Sequence, residues 1–95
     1  MSNVYGTVFE GAETVHLGDP IQYLTAVIGG TNSDAVTGSN KLRRRVRLFA
    51  EAKCWVKYGT SPTATGASDA IPLAADACES FDIEAGYVIT AITRT

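Results

Sequence analysis

The chain has 95 residues, a formal net charge of −2 and a hydrophobic fraction of 45%. That length holds one domain with a modest core, and the composition excludes a chain disordered throughout. The small net charge supplies no general attraction to nucleic acid or to an anionic membrane, and no apolar run approaches the length of a transmembrane helix.

Apolar residues recur with period two and helical periodicity is absent over any useful length, so an all-β domain is expected. Residues 4–9 form a β-prone run that Gly6 should break. Residues 13–17 alternate polar and apolar and carry the one histidine, His16. Gly18-Asp19-Pro20 marks a turn. Residues 21–28 read as a strand, because their β-branched and aromatic content and the Gly29-Gly30 stop outweigh a helix. Residues 29–40 are rich in Gly, Thr, Ser, Asn and Asp and are expected to form a flexible polar linker. Residues 1–40 are therefore expected as an N-terminal β segment or extended arm, and residues 41–95 as the compact body of a single domain.

Within the body, residues 42–51 predict a long strand with Leu42, Val46, Leu48 and Ala50 on one face and Arg43, Arg45 and Arg47 on the other. Residues 53–58 alternate Cys54, Val56 and Tyr58 against Lys53, Trp55 and Lys57. A loop of small polar residues over 59–70 leads to a short β segment at 71–73 around Pro72. Residues 79–83 set Phe81 and Ile83 against Ser80, Asp82 and the following Glu84; Ala85-Gly86 turns the chain, and 87–93 is a final strand. Seven or eight short strands separated by Gly and Pro turns predict an antiparallel β-sandwich or a jelly-roll-like fold. Its expected core includes Val46, Leu48, Val56, Phe81, Ile83 and Ile89.

The inventory for catalysis is thin, and no enzyme, cofactor or metal site is expected. His16 has no second histidine or nearby cysteine at ligand spacing, and a structural or surface role is the simpler reading. Cys54 and Cys78 lie far apart in sequence. Met1–Tyr5 shows no basic, apolar leader, so synthesis in the cytoplasm is expected, with both thiols buried and reduced, although a Cys54–Cys78 bridge stays open. Asp82 and Glu84 share a face with Glu79 nearby, and such carboxylates are more often solvated than catalytic. Gly29-Gly30 belongs to no phosphate-binding motif.

The strongest signal is charge placement. Seven of the eight basic residues lie between Lys41 and Lys57, flanked by acidic segments. Internal pairing with neighbouring acids is the plain reading; a positive stripe that meets a partner is the sharper one. If strands 42–51 and 53–58 pair, Arg43, Arg45, Arg47, Lys53 and Lys57 form one cationic face with Trp55 as its apolar anchor. Arg and Trp are enriched at the centres of protein interfaces, so these six are the candidate interface residues. Single-stranded nucleic acid is the alternative, opposed by the negative net charge.

Residues 46–59 (VRLFAEAKCWVKYG), Ser61-Pro62-Thr63-Ala64-Thr65, Ile71-Pro72-Leu73, Glu79-Ser80-Phe81-Asp82-Ile83 and Gly86-Tyr87-Val88-Ile89 resemble small virion proteins of tailed bacteriophages. The likeness spans Leu42 to Ile92 and does not reach the first forty residues. It implies a non-enzymatic structural protein located in the virion, with phage capsid or other virion proteins as partners. A capsid decoration (cement) protein on the major capsid protein lattice is the favoured role, with a homo-oligomer such as a trimer expected. A neck or tail component is the close alternative. No membrane partner is implied.

Overall fold

The computed structural model of the chain describes residues 2–10, 20–39, 42–60, 62 and 70–94. The expected strand at 13–17, with His16, and most of the loop at 59–70 lie outside the described residues. The rest is an antiparallel β-sandwich of seven strands: β1 (Asn3–Phe9), β2 (Gln22–Val27), β3 (Arg43–Ala50), β4 (Cys54–Gly59), β5 (Ile71–Leu73), β6 (Cys78–Glu84) and β7 (Val88–Thr93). One sheet has the order β2-β1-β3-β6 and the other β5-β4-β7.

Period-two alternation produces this directly. Val4 and Val8 of β1, Leu24 and Ala26 of β2, and Val46, Leu48 and Ala50 of β3 point inward from the first sheet. Cys54, Val56, Leu73, Ile89 and Ala91 point inward from the second and meet them in one core. Interdigitated inner faces are how two sheets exclude water from each other. Five of the six expected core residues are buried; Phe81 is half-buried and packs at the margin, with its ring 5.9 Å from that of Tyr58.

Several expectations need correction. Gly6 does not break β1, which pairs without interruption on both sides. A Cβ there would lie 3.2 Å from Leu24 Cβ and 3.3 Å from Leu48 Cδ2, so the missing side chain is space that two core leucines fill. Leu42, expected on the same face as Val46, Leu48 and Ala50, is 41% exposed. It precedes β3, and the next inward-parity position belongs to Arg44, which marks the end of the apolar layer.

The described residues of the first forty, 2–10 and 20–39, are part of the body rather than an arm set apart from it. β1 is a central strand between β2 and β3, and its pairing to β3 aligns Val4 with Ala50 and Phe9 with Arg45. The supposed linker is a strap across one open side of the sandwich. Gly29 N, Ser33 N and Val36 N donate to Ala91 O, Ile89 O and Tyr87 O of the β7 side, at 2.7, 2.9 and 2.9 Å. Gln22 of β2 holds the other flank: Nε2 donates to Ala35 O and Oε1 accepts from Thr37 N. Polar composition here serves edge coverage: the strap satisfies backbone groups that β7 would otherwise expose.

Candidate functional site

The six candidate residues fall on two different faces. β3 pairs with β1 and β6, whereas β4 pairs with β5 and β7. Consecutive strands that pass from one sheet to the other cannot share an outer face. The expected single cationic face is thus divided: Arg43, Arg45 and Arg47 look out from the four-stranded sheet, and Trp55 and Lys57 from the three-stranded sheet, with Lys53 exposed just before β4.

On the second face Trp55 is half-buried, opposite Pro72 on one side and Ile92 on the other. The Arg94 guanidinium carbon sits 5.6 Å from the centre of its ring, a cation–π distance. Arg94 Nη2 also donates to Leu73 O at 3.0 Å, while its buried Nε has no acceptor among the described residues. Trp55 is therefore engaged within its own chain, although it has no place in the core. Beneath it, burial pushes the Cys54 thiol above its ordinary range, and the Arg94 charge opposes that shift. A protonated, buried thiol is a poor nucleophile. Cys78, expected to be buried, is exposed, because it opens β6 on the outward parity, opposite Phe49.

The first face is ordered in cross-strand rows. One row runs Thr25, Tyr5, Phe49, Cys78, and the next runs Tyr23, Thr7, Arg47, Ser80. The row beyond holds Phe9, Arg45 and Asp82, and the last pairs Arg43 with Glu84. Arg45 Nε donates to Asp82 Oδ1 at 3.0 Å, so internal pairing accounts for this member of the stripe. Arg47 differs: its neighbours across both ladders are Thr7 and Ser80, neither of them acidic. Three of the exposed large hydrophobic residues, Tyr5 (39%), Tyr23 (74%) and Ile21 (42%), lie toward the β1/β2 side of this sheet.

Arg44, part of the basic run in sequence, has a different task. Its Nε donates to Thr37 O at 3.1 Å and its Nη1 to Glu10 O at 2.8 Å, tying the strap to the end of β1. Tyr5 and Tyr23 were missed from sequence. Their parity was readable, but that they share a face with Arg47 depends on β1 inserting between β2 and β3.

Comparison with models of known families, with characterised proteins and with solved structures finds no match. The chain's chemistry must be read from the faces themselves. Among the described residues no group of three or more His, Cys, Asp or Glu is arranged to hold a metal ion, and no helix is long and apolar enough to cross a membrane. The outer face of the four-stranded sheet combines exposed tyrosines with an arginine whose cross-strand neighbours are uncharged, the composition enriched where proteins meet.

Proposed function

We propose that this chain is a non-enzymatic binding module and, more specifically, a structural protein of a tailed-phage particle that decorates the capsid lattice. The observation that carries the binding reading is the face with Tyr5, Tyr23 and Arg47: large aromatic side chains left in water on a rigid sheet. The phage setting is supported by the resemblance of residues 42–92 to small virion proteins. Decoration suits a compact sandwich, because a lattice repeats one docking site many times and multiplies a weak contact.

Nucleic acid fits this face less well. Asp82 and Glu84 share it with the arginines, and the chain as a whole carries −2. A phosphate-tracking groove needs several unopposed cations.

The test is the copy number of the chain in purified particles of a phage that encodes it. A fixed ratio near that of the capsid protein is expected. A few copies per particle would make it a neck or tail component instead, and absence from particles would overturn the virion role. Salt-sensitive binding to single-stranded oligonucleotides would favour the nucleic-acid reading.

A further inference from the structure

The outer face of the four-stranded sheet is divided lengthwise. On it, β2 and β1 place only uncharged side chains, among them Tyr23, Thr25, Tyr5 and Thr7. Every charged side chain these strands put on the face, Arg43, Arg45, Arg47, Asp82 and Glu84, belongs to β3 or β6. A surface with an aromatic half and a charged half can cover a copy of itself, provided the halves are exchanged.

We propose that this face pairs with the same face of a second copy about a dyad running along the strands between β1 and β3. The inference rests on reading the face as a protein contact and names its occupant. Rotation about that axis lays β1 of one copy over β3 of the other, and β2 over β6. Two of the four rows then match chemically. Tyr5 covers the partner's Phe49, Arg47 covers the partner's Thr7 beside the Tyr5 and Tyr23 rings, and Tyr23 covers the partner's Ser80. Guanidinium groups thus meet aromatic faces and hydroxyls. The other in-plane dyad, across the strands, sets β3 on β3 and brings arginines against arginines, which is repulsive. Sheets stacked face to face keep their strands within about 30° of parallel, so the matched rows hold approximately over this short face.

The area sets the strength. Four strands at about 4.8 Å and seven residues at about 3.3 Å give a face of roughly 400–450 Å². That is about half the 800 Å² per partner typical of stable complexes. The pair is consequently weak and reversible, and becomes useful where other contacts hold copies near one another. This pairing does not cover the opposite side of the sandwich, which carries Lys53, Trp55 and Lys57.

Sedimentation equilibrium from about 20 μM to about 1 mM tests this on the intact chain, a range chosen for an interface of this size. A monomer–dimer equilibrium is expected, and Tyr23→Asp, at a largely exposed position, should weaken it at least tenfold. The orientation is tested by cross-linking. Thr25→Cys would lie over the native Cys78 of the other copy, and a bismaleimide reaching about 8 Å should join the two, since facing sheets are about 10 Å apart. Within one chain these positions are three strand spacings, about 14 Å, apart. The unsubstituted chain, with Cys78 as its exposed thiol, should not cross-link. A monomer at all concentrations, a trimer, a dimer indifferent to Tyr23→Asp, or a Cys78-to-Cys78 product would each overturn the proposal. A chain that is monomeric in solution yet abundant in particles would sink the pairing and leave the decoration reading intact; the reverse result would do the opposite.

Discussion

The two cysteines show how far one step of parity decides chemistry. Cys54 points into the core between the sheets, and Cys78 points out from β6. In the native protein a maleimide should modify Cys78 and leave Cys54 untouched until the chain unfolds; mass spectrometry of the labelled peptides reads this directly, and equal labelling would mean that Cys54 is not buried. Cys54 also predicts a pH effect. Burial raises its pKa in the folded state, so the folded protein keeps a proton that the unfolded chain releases. Its contribution is present in full below the ordinary thiol range and is lost as pH rises from that range through the higher pKa of the folded state. Cys54→Ala should flatten the alkaline fall in stability relative to the unsubstituted chain. Equal slopes in urea titrations across that range would reject the assignment. Gly6 makes the same point sterically. Gly6→Val would drive a branched side chain against Leu24 and Leu48, and overpacking of this kind costs roughly 1–3 kcal/mol.

At the scale of elements, the strap at 29–39 carries the most testable role. Ser33 is 6% exposed and makes a closed pair with β7: Ser33 N donates to Ile89 O, and Ile89 N donates to Ser33 Oγ. Ser33→Ala leaves a buried N–H without its acceptor and should cost about 1–3 kcal/mol. The denaturation midpoint should fall with an unchanged slope; a neutral result would mean that the strap does not close the β7 edge. The β6–β7 turn is held differently. Gly86 has φ 93°, and a Cβ at this position would meet nothing within 4 Å, so the obstacle to a side chain there is backbone conformation alone. Gly86→Ala should cost about 1–2 kcal/mol, and its effect on thermal unfolding should add to that of a distant substitution.

For the molecule as a whole, the decisive comparison is between core and surface. Leu48 is fully buried, and Leu48→Ala should cost about 2–5 kcal/mol. Trp55→Ala removes a half-buried ring and its Arg94 contact, with a loss on the order of 1–2 kcal/mol. The isolated domain should stay folded by circular dichroism, and under the proposed virion role its incorporation into particles should fall. Unfolding of the isolated Trp55 variant would show that the outer face of the three-stranded sheet is part of the fold's own support rather than a docking surface.

Alternation along each segment is sufficient to read the class of fold, all seven described strands to within a residue at each end and most of the core, because inward and outward parity is a local property of an extended chain. It also showed that Arg43, Arg45 and Arg47 share a side. Which strands become neighbours is not local. The sequence pattern of 42–58 suits a hairpin, yet Glu51-Ala52-Lys53 carries the chain across to the second sheet and separates Trp55 from the arginines. The 29–39 segment has the composition of a linker, and only its hydrogen bonds to β7 and to Gln22 make it structural. Tyr5, Tyr23 and Arg47, distant in sequence, meet because β1 inserts between β2 and β3. Parity is written residue by residue, whereas the choice of partner strand is settled by which inner faces bury each other best, a competition that involves the whole chain at once.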